Sequence, residues 1–185
     1  MSLDKIILGA LSEDIGSGDH TSLSTIPANV VGVTHLLAKE NGVIAGIEVA
    51  KRIAELHDNK IVIETKKQDG DFIKKGDIVF IMKGNVRSML SVERVMLNFM
   101  QRMSGIATYT KQLVDEIKDY DTKILDTRKT TPQFRLIEKM AVTIGGGYNH
   151  RFGLYDMILI KDNHIDFAGG ITQALEQVYD YLAKN

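Results

Sequence analysis

The sequence contains no cysteine and no tryptophan, only two prolines, and 6% aromatic residues. Without cysteine there is no disulfide framework, no thiolate metal site and no cysteine nucleophile. Pro27 and Pro132 stand alone, so no proline-rich linker divides the chain. No apolar run approaches the roughly 18 residues that a membrane helix needs. The start, MSLDKIILGALSEDIG, lacks the small-residue cleavage site of a signal peptide. These absences predict a cytoplasmic protein. An excess of charge is missing too: 23 Lys and Arg against 24 Asp and Glu leave a net charge of −1. No overall field therefore draws the chain to nucleic acid or to a membrane, and affinity for anions has to come from a local cluster. What is present, 44% hydrophobic and 25% charged residues over 185 positions, suits one domain or two small ones and excludes disorder and a fibre.

Leu3, Ile6, Ile7, Ala10 and Leu11 share one helical face and predict a short amphipathic helix over 3–12. The stretch Glu13–Ser22, rich in glycine and acid, reads as a loop. From about 30 to 86, β-branched runs are broken by Asn41-Gly42, Asp69-Gly70 and Lys75-Gly76. They predict short strands and tight turns around one helix near 47–57. Around Ser88 the period changes, with Val92, Val95, Met96, Phe99, Met103, Ile106 and Ala107 marking a helix to about Lys118, broken near Gly105. Its methionines, Met89, Met96, Met100 and Met103, read as core or dimer packing rather than cofactor contacts. A strand at 123–126, a helix near 134–143, a strand at 157–160 and a helix near 171–183 then alternate as a βαβ unit with a parallel sheet. A β-rich half thus feeds an α/β half.

Parallel α/β sheets bind ligands at the C-terminal ends of their strands. The first strand is followed by Asp126-Thr-Arg-Lys-Thr-Thr-Pro132 and the second by Lys161-Asp-Asn-His164, with Gly145-Gly-Gly-Tyr-Asn-His-Arg151 between them. If the strands are neighbours, Arg128, Lys129, His150, Arg151 and Lys161 face one mouth. Guanidinium, ammonium and imidazole groups together suit a ligand carrying several carboxylates or phosphates; taken singly, each cation is equally a solvated loop charge. The three glycines either admit an anion to the backbone or close a turn on a helix C-terminus. They form neither a P-loop nor a G-x-G-x-x-G fingerprint. No G-x-S-x-G elbow and no H-E-x-x-H occurs, and His20, His35 and His57 lack metal-ligand spacing. Arg94 and Arg102 lie on roughly one face of the long helix, at an interface, at the pocket or in solvent.

Six segments, in order, resemble the quinolinate phosphoribosyltransferase family: Ser91-Val-Glu-Arg94-Val-Met-Leu-Asn98, Ser104-Gly-Ile-Ala-Thr108, Asp126 to Pro132, Glu138-Lys139, Gly145 to Arg151, and Leu159-Ile-Lys-Asp-Asn-His-Ile165. The early Glu13-Asp14-x-Gly-x-Gly-Asp19-x-Thr21 agrees as well. The resemblance implies an N-terminal α+β domain with the long helix over 1–108, hammerhead-like in its β-rich part. The first βα units of an incomplete TIM-like α/β barrel would follow over 109–185. It implies transfer of phosphoribosyl from phosphoribosyl pyrophosphate to quinolinate with decarboxylation, and magnesium as cofactor. By motif, Arg94, Arg128, His150 and Arg151 would hold the quinolinate carboxylates. Lys129 and Lys161 would lie between the two substrates, and Arg135 and Lys139 at the pocket edge. Arg94 would enter the neighbouring subunit's site, making the protein at least a homodimer.

The sequence departs from the family twice. Gln133 stands where the family usually has glycine, which is strained if φ is positive and harmless if it is negative. The family's barrel also continues into strands carrying an acidic pair for ribose and magnesium, and no metal ligand is expected among these residues. A truncated, proteolysed or split enzyme is therefore expected, one that keeps part of the quinolinate pocket with little or no turnover of its own. Three alternatives stand beside it: a molybdenum-transport-associated paralogue, a ligand-binding or regulatory fragment, and a carrier module suggested by Asp69-Gly-Asp-Phe-Ile-Lys-Lys-Gly-Asp77, which resembles half of a biotinyl or lipoyl hammerhead.

Overall fold

The computed structural model describes residues 2–184. Ser2 Oγ accepts from the Lys5 N–H at 3.4 Å and starts α1 (Leu3–Ile15), which buries Ile7 and Leu11. The segment expected as a loop is mostly helical. α1 runs on to Ile15, and α2 (His20–Thr25) begins where the Asp19 carboxylate accepts from the Ser22 N–H at 3.0 Å. A side chain that caps a helix start also looks like a turn residue in sequence, which explains the misreading.

β1 (Val31–Leu37), β2 (Gly42–Val43), α3 (Ile47–His57), β3 (Val62–Thr65), β4 (Phe72–Ile73) and β5 (Ile78–Asn85) follow, with α3 where its periodicity predicts it. The strands form an antiparallel sheet of order β1-β5-β3 and a two-stranded ribbon, β2-β4. Helix α4 (Val86–Glu116) crosses this layer as 31 unbroken residues. The break expected at Gly105 is absent, because the roughly 1 kcal/mol helix penalty of one glycine is small beside the packing of the residues that flank it. Val92, Met96, Phe99, Met103 and Ala107 are buried against α3, β5 and α1. The methionine stripe is therefore core. Ser104 and Thr108 hydroxyls accept from the Ala45 and Val43 N–H groups at 3.0 and 2.9 Å, satisfying backbone that β2 leaves unpaired.

Beyond α4 the expected strand at 123–126 shrinks to one parallel bridge, Leu125 to Tyr148, with the Tyr148 N–H donating to Ile124 O at 2.9 Å. The stretch 157–160 forms no strand. Extended backbone becomes sheet only where a neighbour shares its hydrogen bonds; Leu125 finds Tyr148, and 157–160 finds no such neighbour among the described residues. α5 (Arg135–Ile144), α6 (Asp162–Ala168) and α7 (Ile171–Leu182) complete the chain. Two compact units result, meeting in sequence at His150 and Arg151, while the change of sequence pattern after residue 108 falls within α4. Among the described residues no helix is long and apolar enough to cross a membrane.

Candidate active site

In the first unit α5 carries the loop 126–134 on one side and the glycine segment on the other. The Phe134 ring packs on Phe99 of α4, with centroids 5.0 Å apart. The three glycines serve this packing. A Cβ on Gly145 would lie 2.5 Å from Ala107 O, and one on Gly147 would lie 2.8 Å from Val142 Cγ1. Gly146 takes φ 90° at the helix end. Of the two readings of the run, the structure supports the turn that closes a helix onto its neighbour.

The loop itself is held by polar contacts. The Lys129 N–H donates to Thr127 Oγ1 at 3.0 Å, and the Phe134 N–H donates to Thr131 O at 3.0 Å. Pro132 and Gln133 form the middle of that last turn. Gln133 has φ 63°, alone among the described non-glycine residues in being positive. This is the strained case: a left-handed residue that is not glycine costs about 1–2 kcal/mol, and the proline-first turn with positive φ next is the type II pattern that favours glycine.

Two carboxylates anchor the arrangement. Glu138 Oε1 accepts from Arg102 Nη2 at 2.6 Å, from Arg102 Nε at 3.0 Å and from Thr131 Oγ1 at 2.8 Å, while Oε2 accepts from the Thr131 N–H at 3.2 Å. Burial pushes the Glu138 carboxyl up, but the bonds from Arg102 and Thr131 outweigh it and hold it below the ordinary glutamate value. Asp126 Oδ1 accepts from Lys139 Nζ and, at 2.8 Å, from the His150 N–H. Lys139 Nζ also donates to His150 O at 2.8 Å. Oriented by its acceptors, the Asn149 amide nitrogen donates to Asp126 Oδ2 at 2.6 Å and to Lys139 O at 3.0 Å.

These contacts place the residues singled out in the sequence. Arg135 donates from Nε to Thr130 Oγ1 at 3.1 Å and from Nη2 to Arg128 O at 3.2 Å, so it braces the loop that carries Arg128 and Lys129. Arg128 has its Nε buried with no hydrogen-bond partner, the one such side-chain atom among the described residues. Lys129 is exposed, as is Arg94 on α4. Lys139, expected at the pocket edge, is buried in its ion pair with Asp126, its side chain 3% exposed. His150 is gathered with this group through its backbone.

Arg151 and Lys161 belong to the second unit. Arg151 Nη1 donates to Met157 O at 3.4 Å, and Asp156 ties the Phe152 and Gly153 N–H groups at 2.6 and 2.7 Å. Lys161 is exposed, and its N–H donates to His164 Nδ1 at 3.0 Å at the start of α6. Among the described residues no three His, Cys, Asp or Glu side chains gather as a metal site requires. Asp126, Glu138 and Thr131 went unnoticed as anchors in the sequence. One signal was available for Glu138: it falls on the same helical face as Phe134 and Ala141, which pack on α4.

Comparison with known proteins places this geometry. Residues 19–104 match the family model of the quinolinate phosphoribosyl transferase N-terminal domain, and residues 106–185 that of the C-terminal domain. The chain is 49% identical over 184 residues to quinolinate phosphoribosyltransferase (decarboxylating) 2b, mitochondrial, of Nicotiana tabacum, covering 99% of this chain and 52% of that protein. It is 45% identical over 177 residues to a probable nicotinate-nucleotide pyrophosphorylase (carboxylating) of Bacillus subtilis, covering 96% of this chain and 61% of the relative. The crystal structure of NadC from Streptococcus pyogenes superposes with a TM-score of 0.94 at 43% identity, covering 97% of this chain and 64% of that one. The chain thus spans about half the length of its plant relative. Both domain models match in order, and relatives align over nearly every residue: the chain belongs to the quinolinate phosphoribosyltransferase family.

Proposed function

We propose that these residues form the quinolinate-holding part of an enzyme that makes nicotinate mononucleotide, pyrophosphate and carbon dioxide from quinolinate and phosphoribosyl pyrophosphate. The observation that carries this reading is Arg128: a buried guanidinium nitrogen without a partner, on a loop braced by Arg135 and followed by an exposed lysine. A buried unpaired donor is costly, and a ligand carboxylate removes that cost. Within the first unit Arg128 and His150 hold the carboxylates, joined by Arg94 from a second copy of the chain; Arg151, of the second unit, is a candidate from its motif alone. Lys129 reaches the oxygens of the phosphoribosyl group as well, and Lys161, of the second unit, is a candidate for the same role from its motif alone.

The chemistry asks little acid–base work of these side chains. The pyridine nitrogen attacks the anomeric carbon, the bond from that carbon to pyrophosphate breaks, and the pyrophosphate oxygen keeps the electron pair. Fixed cations stabilise the charge that develops, and holding both substrates in register supplies the rest. The quaternised ring then accepts the electron pair left when the carboxylate beside the nitrogen departs as carbon dioxide, and a proton from solvent replaces it. The residues here do not fit a magnesium site: Asp126 is committed to Lys139 and Glu138 to Arg102 and Thr131.

The test is a product assay with carboxyl-labelled quinolinate. The protein extended to the length of its relatives is expected to release one carbon dioxide for each nicotinate mononucleotide and pyrophosphate, and residues 1–185 alone little or none. No product from the extended protein, or rapid turnover by the 185 residues, would overturn the reading.

A further inference from the structure

Asp126 and Lys139 form an ion pair that solvent does not reach, with side chains 6% and 3% exposed, linking the end of the 123–126 segment to α5. A pair of apolar side chains of similar volume would join those two elements without loss of stability, since the desolvation of two buried charges commonly offsets their attraction. The polar pair does something an apolar pair cannot. Asp126 Oδ1 accepts from the His150 N–H at 2.8 Å, and Lys139 Nζ donates to His150 O at 2.8 Å. Both backbone groups of one residue are thus held by the two halves of one ion pair. The flanking residues are fixed in the same way. Asn149 bonds the other oxygen of Asp126 and the carbonyl of Lys139, and Tyr148 makes the parallel bridge to Leu125.

We infer that the Asp126–Lys139 pair is a positioning device for His150: by gripping its peptide N–H and carbonyl together, it sets where the imidazole meets the substrate carboxylate. Lys139 therefore acts through His150 and does not itself touch quinolinate. The inference rests on the role given to His150 under the proposed function. It departs from that reading in taking Lys139 out of the pocket and bringing in Asp126, a carboxylate that repels the substrate's own charge and has no place beside it. A clip of this kind is effective because His150 lies in no helix or strand, with a parallel bridge two residues away at Tyr148.

The decisive experiment is a thermodynamic cycle in the enzyme of full family length. Asp126→Leu/Lys139→Met is expected to raise the KM for quinolinate about tenfold or more and to leave the KM for phosphoribosyl pyrophosphate within about twofold. In a His150→Ala background the same pair of substitutions should change the quinolinate KM by less than about twofold, because what the clip positions is gone. Additive effects would show that Lys139 acts elsewhere and would overturn the inference, as would equal rises in both KM values. Should the double variant fail to fold, hydrogen exchange on the wild-type chain decides. The His150 amide is expected to exchange about a hundredfold more slowly than an unprotected amide, and exchange at the free rate would overturn the clip. Wild-type enzyme without quinolinate turnover would instead overturn the functional reading, and with it the role given to the clip, while the exchange measurement still reports whether the clip exists.

Discussion

Lys129→Ala, made in the enzyme of full family length, is expected to lower the rate of nicotinate mononucleotide formation by about a thousandfold while leaving the unfolding midpoint unchanged. The two halves of that expectation have separate causes. Lys129 is exposed, and its only hydrogen bond among the described residues is made by its backbone N–H, to Thr127 Oγ1, so the side chain holds nothing in the fold. Its ammonium stands one residue after Arg128, on a loop fixed by Arg135, Glu138 and the turn at Pro132. A prepositioned donor aimed at charge that develops during reaction is worth about 10²–10³ in rate. In the role proposed for it, between quinolinate and the phosphoribosyl oxygens, Lys129 belongs at the upper end. Lys123, which lies over the Tyr148 ring at 4.7 Å, is the control, and Lys123→Ala should leave the rate within about twofold. Initial rates at saturating substrates make the comparison. A Lys129→Ala enzyme within tenfold of wild type removes Lys129 from the site.

The second large effect is on stability. Gly145→Ala is expected to destabilise the first unit by about 3 kcal/mol, the upper part of the range for forcing atoms into a packed core. The new Cβ would meet Ala107 O at 2.5 Å, Thr110 Cβ at 2.7 Å and Ala107 Cα at 3.0 Å. Two of these atoms are backbone in the middle of α4, so no rotamer change can relieve the contact. The helices must separate instead, and Arg102–Glu138 and Phe99–Phe134 cross the same seam. Gly105→Ala supplies the opposite sign on the same helix. Nothing lies within 4 Å of its added Cβ, and replacing a helical glycine gains about 0.5–1 kcal/mol. Urea unfolding of the two variants should give midpoints on either side of wild type. A Gly145→Ala midpoint equal to wild type would show that α4 and α5 do not meet as described.

Sequence reasoning succeeded where the signal is local and periodic. α3, α5 and α7 sit within a residue or two of their predicted limits, because apolar residues at three and four spacing need only one buried face to become helix. It failed where structure depends on a partner. The segments at 123–126 and 157–160 have the residues of strands, yet a strand exists only when another strand shares its ladder. For the candidate site, Arg, Lys and His gather in three short segments and so stand out in the sequence as candidates. The carboxylates that hold Arg102 and Lys139 do not stand out. Glu138 meets Arg102 from 36 residues away and Asp126 meets Lys139 from 13, spacings that carry no periodic signature. Gln133 shows the same limit from the other side: its identity could be read, but whether it was strained depended on a φ that only the folded turn fixes.

Calorimetric titration of the 185-residue chain with quinolinate, with nicotinate as the comparison ligand, asks most directly whether these residues hold a pyridine dicarboxylate. The two ligands share a ring and one carboxylate and differ only in the carboxylate beside the nitrogen, so a pocket built from Arg128 and its neighbouring cations must separate them. Saturable binding of quinolinate, at least about tenfold tighter than nicotinate and weakened by Arg128→Ala, is the expected result. Equal affinity for both ligands, or quinolinate binding that survives Arg128→Ala unchanged, would show that Arg128, with its buried unpaired Nε, is not the anchor of the site.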